Sequence, residues 1–131
     1  MVGAALCTSR EAAFATIGRD RADALFVAPD IFFTSRRVQF QMLATRYAIP
    51  ATYHLREFVE AGGLMSYGSD IVDSFRQVGV YAGRILKGTI PADLPVMQAT
   101  KFELVINAVA ARALGIDVPN ALQLLVDELI E

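Results

Sequence analysis

One stretch constrains the fold more than any other: residues 62–70, which are typical of a turn, a short strand, a second turn and a helix start. The stretch begins with two glycines, which allow a turn free of side-chain clashes. The next four residues form a largely apolar run that is long enough for a core strand. Gly68 lets the chain reverse, and Ser69 or Asp70 then caps a helix. A strand that leads directly into a helix is typical of α/β folds.

The helix that follows is predicted to run to Lys87, where Gly88 ends it and Pro91 comes soon after. Apolar residues recur along this helix at a spacing of three or four. The positions are Ile71, Phe75, Val78, Ala82 and Ile85. We therefore expect one face of the helix to belong to the core.

The rest of the chain alternates in the same way between short apolar runs and helical patterns. Strands are predicted over residues 2–7, 24–28, 51–54, 64–67 and 101–107, and the type of residues 124–130 is ambiguous. Helices are predicted over residues 8–20, from Thr34 or Ser35 to 47, over 56–61, from the cap at Asn107 to 114, and briefly after 118–120. The continuous apolar run at 24–28 predicts a strand covered on both faces, and residues 31–33 are interpreted as an apolar loop.

This alternation with short connections predicts a three-layer, doubly wound, mostly parallel α/β sheet. Three parts are expected: an α/β lobe over residues 1–88, an extended segment over 89–100, and a C-terminal strand with helices over 101–131. The middle part holds two prolines and no helix-forming stretch.

The chain of 131 residues suffices for one core, yet its hydrophobic fraction of 54% and mean hydropathy of +0.41 are high for a free-standing domain. No run approaches the ~20 apolar residues of a membrane helix. The surplus predicts apolar surface that meets a second lobe, a second copy of the chain, or both. The net charge of −2 and the scattered basic residues argue against a nucleic-acid partner.

Sequence motifs for catalysis are absent. No Gly-x-Gly-x-x-Gly follows the first strand, which argues against a small dinucleotide enzyme, and no Gly-x-Ser-x-Gly is present. The single cysteine, Cys7, excludes an internal disulfide, and one histidine with one cysteine makes neither a Cys–His pair nor a zinc site. We therefore predict no catalytic residues, no metal and no cofactor. The first seven residues lack a basic start and their apolar stretch is short, so we do not expect them to be a signal peptide.

Polar residues follow the predicted strand at the start of the long helix. Ser66, Tyr67 and Asp70 lie where a strand end meets a helix N-terminus, which is where open α/β sheets place ligands. The alternative is an ordinary strand–helix turn whose glycines only shape the loop.

Several stretches together resemble a known family. They are ADALFVAPD (22–30), REFVEAGGLMSYG (56–68), ILKG with PADLPV (85–96), and TKFELVIN with ALGI (100–116). In this order they are similar to the C-terminal part of ABC-transporter substrate-binding proteins of the tryptophan/tyrosine type. The resemblance implies one lobe of a type I periplasmic-binding-protein fold plus a hinge-crossing segment at 89–100. It also implies a missing N-terminal lobe, a membrane permease as partner, and a periplasmic or cell-envelope location.

The resemblance also implies where a small organic solute would bind, namely at the strand ends that face the cleft between lobes. Carried over to this chain, these positions are Asp30, Phe32, Tyr53, His54, Arg56, Ser66, Tyr67 and Asp70. Asp30 could accept a hydrogen bond from a ligand amine, Arg56 could hold a carboxylate in a two-pronged contact, and aromatic rings could stack on an apolar body. Residues 31–33 and 54–56 depart from the family pattern, which leaves an apolar or anionic solute open.

Two other functions remain open from the sequence. One is an effector-sensing regulatory domain, since some transcription regulators share the two-lobed fold, although no basic helix or helix-turn-helix is present. The other is a truncated lobe that only self-associates to cover its apolar surface. Whichever function the chain has, we expect it to form a homo-oligomer.

Overall fold

The structure of the chain is a computed structural model that describes residues 10–131. The predicted strand over residues 2–7, the cysteine in it and the predicted cap at Thr8 or Ser9 lie outside the described residues. The strands are β1 (Leu25–Val27), β2 (Ala51–Tyr53), β3 (Met65–Ser69), β4 (Phe102–Asn107) and β5 (Glu128–Ile130). The helices are α1 (Arg10–Arg19), α2 (Ile31–Ser35), α3 (Arg37–Arg46), α4 (Arg56–Glu60), α5 (Ile71–Leu86), α6 (Ala108–Ala113) and α7 (Asn120–Gln123).

The five described strands form one mostly parallel sheet in the order β1-β2-β3-β4-β5, with flanking helices. β1, β2 and β3 are mutually parallel, β4 runs antiparallel to β3, and β5 runs parallel to β4. The predicted α/β fold class is confirmed. The ambiguous C-terminal residues supply the last strand.

One face of the sheet carries the core. Val27 pairs in register with Tyr53, and Tyr53 pairs with Ser66, so these side chains lie on the same face. Phe14 of α1, Phe40 of α3 and Phe58 of α4 pack in the core cluster with them; their exposed fractions are 2%, 8% and 0%. On the other face β1 is uncovered, because the side chain of Phe26 is 64% exposed. The prediction that this strand is covered on both faces is therefore wrong.

Residues 31–33 belong to helix α2 and not to the predicted loop. The helix begins at Asp30, whose Oδ1 accepts a hydrogen bond from the backbone N–H of Phe32 at 2.7 Å. An aspartate before an apolar run is a helix-cap signal. The apolar composition of these residues obscured that signal. The caps predicted at Asp70 and Asn107 are confirmed, since their side chains accept from the N–H groups of Asp73 and Ala110.

Helix α5 turns its apolar stripe away from the domain. Ile71, Phe75 and Val78 are 41%, 72% and 63% exposed. The flank of the helix that contains Asp73, Gln77 and Tyr81 faces the segment after the helix, where the Tyr81 hydroxyl donates to the carbonyl of Pro95 at 2.5 Å. The prediction that the apolar face of this helix is core is wrong, because periodicity identifies an apolar face but not what covers it.

None of the helices among residues 10–131 is both long enough and apolar enough to cross a membrane.

Candidate functional site

A cavity of about 220 Å³ lies where β2 and β3 end and α4 and α5 begin. Its lining brings together four of the eight predicted site residues, His54, Arg56, Ser66 and Asp70. The carboxyl ends of neighbouring parallel strands are the usual ligand position in open α/β sheets. These four residues, which the sequence predicted as ligand contacts, thus lie together on one cavity.

Gly68 lies within β3 and not in the predicted turn, because the strand continues to Ser69, and it shapes this cavity through close backbone approach. A Cβ atom placed on Gly68 would overlap the carbonyl oxygen of His54 and lie 3.0 Å from its carbonyl carbon. The end of β3 therefore approaches the end of β2 more closely than any residue with a side chain allows. This contact brings Ser66 and Asp70 onto the same cavity as His54.

Asp70 is engaged on two sides within the domain. Its Oδ1 accepts from the backbone N–H of Asp73 at 2.9 Å, and its Oδ2 forms an ion pair with Lys101 Nζ at 2.9 Å. The helix-cap hydrogen bond and, next, the lysine lower the pKa of Asp70, and the same pair raises the pKa of Lys101. Asp70 is thus ionised at neutral pH and holds the start of α5 against the beginning of β4.

Replacing Asp70 by Ala removes the cap and the ion pair, whereas Asp70→Asn keeps a side chain that can cap. We expect D70A to lower the melting temperature by a few degrees and D70N to lower it less.

Because the pKa of Asp70 is lowered by folding, the stabilisation that Asp70 provides is present above about pH 4 and is lost as the pH falls towards the folded-state pKa. Thermal unfolding followed by circular dichroism between pH 2 and 7 measures this. A D70A deficit that stays constant over that range would contradict it.

Arg56 forms ion pairs with three carboxylates. Its Nε donates to Glu60 at 2.8 Å, its Nη1 to Glu103 at 2.5 Å and its Nη2 to Glu128 at 2.6 Å. Hydrogen bonds to Glu60 and then Glu128 raise the pKa of the guanidinium, so its charge is permanent. Each of its three nitrogens thus donates to a carboxylate of the protein, which uses three of its five N–H groups, and the role of Arg56 as anchor for a ligand carboxylate stays a prediction.

His54 and Ser66 lie deeper in the cavity wall. Ser66 is 2% exposed. His54 Nε2 lies 3.4 Å from Thr34 Oγ1, and Thr34 Oγ1 donates to the carbonyl of Asp30, so helix α2 contacts a residue of the cavity wall. Among residues 10–131, two buried polar atoms have no hydrogen-bond partner, and both belong to residues that line this cavity: His54 Nδ1 and Glu57 Oε2.

Four of the predicted residues do not line this cavity. The side chain of Tyr53 is 1% exposed and stacks on Phe58 with ring centroids 4.5 Å apart, and burial raises the pKa of its phenol to about 12. The alternation of β2 directs this ring into the core, which corrects its placement in the site. The other three, Asp30, Phe32 and Tyr67, lie outside the cavity lining.

The exposed rings offer stacking surfaces near the same sheet edge. Phe32 is 44% exposed and carries the Arg36 guanidinium 4.7 Å from its ring centre. Tyr67 is 56% exposed and stacks on Phe102 at 5.7 Å. These rings stay predicted contacts for an apolar solute body.

Sequence reasoning missed the two glutamates of the cavity lining, Glu57 and Glu103. Glu57 lies in the first turn of α4, a common place for an acidic residue, so its type carried no functional signal. Glu103 reaches Arg56 across 47 residues of chain, which only the pairing of β3 with β4 explains. Within the described part of the chain, no group of three or more His, Cys, Asp or Glu side chains could hold a metal ion.

A second cavity of about 260 Å³ lies between α3 and α6, near the start of β2. It is lined by apolar and uncharged polar side chains, including Tyr53 and Asn107. It contains no charged group that would orient a small polar solute, so we place the candidate site at the first cavity.

The mostly parallel sheet with flanking helices and a polar cavity at its strand ends defines a domain of the α/β class. The chain belongs to the ABC transporter substrate-binding protein family, whose model matches residues 2–130. None of the curated proteins compared with the chain matches it.

Solved structures agree with this family. A conserved domain protein from Vibrio cholerae is 28% identical with a TM-score of 0.82, over 91% of this chain and 40% of that one. An ABC domain from Streptococcus pneumoniae in complex with L-Trp is 27% identical with a TM-score of 0.82, over 92% of this chain and 41% of that one. A ligand-free, open substrate-binding protein from Clostridium difficile shares the fold, with 22% identity and a TM-score of 0.65, over 92% of this chain and 40% of that one. The chain thus spans about 40% of the length of these structures.

Proposed function

We propose that the chain is part of the solute-binding component of an ABC import system and binds a small organic solute without chemical turnover. The observation that carries this proposal is the convergence of His54, Arg56, Ser66 and Asp70 on one cavity at the carboxyl ends of the parallel strands. Membership of the substrate-binding family supports it, as does a similar structure that contains L-Trp. An amino acid or a small aromatic solute fits this setting best.

The chain would supply one wall of the binding cleft. We infer that residues 1–88 form the ligand-binding lobe, residues 89–100 cross between lobes, and residues 101–131 complete the lobe or hinge. Strand β4 runs antiparallel to β3, which supports the inference that the chain returns to the same sheet after residues 89–100. A second, N-terminal lobe would close over the cavity, a membrane permease would receive the solute, and the location would be the periplasm or cell envelope.

Solute binding to this chain is measurable although one wall supplies only part of the contacts. We expect L-tryptophan or another amino acid to bind with a dissociation constant of roughly 0.1–10 mM, because contacts to the second lobe are missing. Ligand-observed NMR at millimolar solute detects such binding. Ser66→Ala, which removes the hydroxyl with little other change in the side chain, is expected to weaken it, while Ser35→Ala, at an exposed position outside the cavity lining, is the matched control. A full amino-acid panel with no binding would contradict the proposed function.

A second function, self-association, is supported by the exposed apolar face of α5. Seven large apolar side chains on this helix are between 41% and 88% exposed, and all but Val80 belong to this face: Ile71, Val72, Phe75, Val78, Ile85 and Leu86. Their combined exposed surface is on the order of the ~800 Å² that each partner contributes to a standard interface. A face of this size is rarely left to water.

For this chain we expect dimers or larger oligomers at tens of micromolar that dissociate when the α5 face is charged. Val78→Asp places a carboxylate in the centre of the face, and sedimentation velocity then reports a monomer. Leu124→Asp is the matched control, because Leu124 is 87% exposed but lies beyond α7. A wild-type chain that is monomeric at these concentrations would refute self-association.

A further inference from the structure

We propose that this lobe binds the ammonium end of its solute and does not bind the carboxylate end. This inference rests on the proposed solute-binding function and concerns the charge that the cavity selects. It reverses the role that the sequence suggested for Arg56, and it adds Glu57 as a residue that determines specificity.

Arg56 is already engaged by carboxylates of the protein. Its three guanidinium nitrogens donate to them at 2.8, 2.5 and 2.6 Å, which uses three of the five N–H groups. A solute carboxylate would have to share Nη1 and Nη2 with Glu103 and Glu128, and it would add a fourth negative charge around one guanidinium. Repulsion between these like charges makes Arg56 a poor site for the carboxylate end of a solute.

The negative and positive side chains around the cavity are unequal in number. Arg56 and Lys101 are the cations that take part in ion pairs here, and Lys101 is already paired with Asp70 at 2.9 Å. The carboxylates at the cavity and on these two cations are Glu57, Glu60, Asp70, Glu103 and Glu128. Carboxylates therefore outnumber cations, and the field in the cavity favours a positively charged group.

Glu57 is the carboxylate at this cavity whose charge no cation compensates. Glu57 lines the cavity and takes part in no ion pair within residues 10–131. Its Oε2 is buried without a hydrogen-bond partner, as is Nδ1 of His54 on the same cavity. A buried carboxylate oxygen without a donor is unfavourable. A small reorientation of the side chain towards a bound ammonium group supplies the missing donor.

The test uses probes that differ only in their charged ends. L-Tryptophan carries both groups, tryptamine carries the ammonium alone, and indole-3-propionate carries the carboxylate alone. The set of L-leucine, isopentylamine and 4-methylpentanoate repeats the comparison on an aliphatic body. We expect the amine-only member to bind within about tenfold of the amino acid, and the carboxylate-only member to bind at least about tenfold more weakly than the amine.

Binding of the carboxylate-only probes at the strength of the amines, or above it, overturns this inference and leaves solute binding intact. Failure of every probe and of the amino-acid panel overturns the proposed function, and this inference falls with it. The two failures are therefore distinguishable in one ligand-observed NMR experiment on the full chain.

Glu57→Gln tests the residue itself. This change removes the charge at nearly constant shape, and we expect it to weaken amine binding at least about fivefold while the affinity for the carboxylate-only probes stays equal or rises. Glu11→Gln is the matched control, because Glu11 also lies in the first turn of a helix, α1. Equal affinities of wild type and E57Q for tryptamine would exclude Glu57 as the selecting group.

Discussion

Replacing Gly68 by alanine is expected to unfold the domain or to destabilise it by about 3 kcal/mol or more. The added Cβ would meet the backbone of His54, including a carbonyl carbon at 3.0 Å, and backbone cannot rotate away as a side chain can. Relief requires β2 and β3 to separate at the edge of the cavity. Urea unfolding followed by far-ultraviolet circular dichroism measures the loss, and the same variant should lose any solute binding.

The control for this prediction is another glycine replaced by alanine where space is open. A Cβ atom on Gly79, in the middle of α5, meets nothing within 4 Å. Gly79→Ala is therefore expected to stabilise the chain by about 0.5–1 kcal/mol through helix propensity. Equal effects of the two substitutions would show that backbone approach at Gly68 is not what holds the strand ends together.

Replacing Phe58 by alanine is expected to cost about 3–5 kcal/mol of unfolding free energy, a large part of the ~5–15 kcal/mol typical of a domain. Phe58 is 0% exposed, stacks on Tyr53 at 4.5 Å and holds α4 against the sheet. His54 packs against the same ring at 5.7 Å, so the wall of the candidate site should loosen as well. Denaturant unfolding gives the free energy, and NMR titration with L-tryptophan gives the effect on binding.

Phe75→Ala is the matched control, because it deletes the same ring from a position that is 72% exposed. We expect a change of less than about 0.5 kcal/mol in the free energy of unfolding, measured on monomers. A comparable loss in both variants would mean that the apolar face of α5 is covered within the monomer, contrary to the structure.

The strand and helix pattern was predictable wherever local signals agree with the fold. The strand after Gly63 and the helix caps at Asp70 and Asn107 follow from turn residues and side-chain oxygens that act within a few positions. What an apolar face packs against was not predictable, because helix α5 has the periodicity of a core helix while its apolar face is exposed among residues 10–131. Periodicity is a property of one element, whereas burial depends on two.

The residues of the candidate site also differ in whether the sequence could predict them. His54, Ser66 and Asp70 could be placed because strand ends of a parallel sheet meet at one edge. Tyr53 could not be excluded without the register of β2, which directs its ring into the core. The role of Arg56 depends on Glu103 and Glu128, which lie 47 and 72 residues away along the chain, so no local pattern could reveal that its nitrogens are occupied.

The antiparallel pairing of β3 with β4 has a consequence for local unfolding. Ser69 pairs with Phe102, and the N–H of Asp70 donates to the carbonyl of Lys101 at 3.0 Å, so residues 71–100 leave the sheet and return to it at one point. This excursion, which contains all of α5, can open while the strand ladder stays intact. We expect the amide hydrogens of α5 to exchange with solvent faster than those of β3 and β4. Slower exchange in α5 alone would then report directly that a second lobe or a second copy has covered its apolar face.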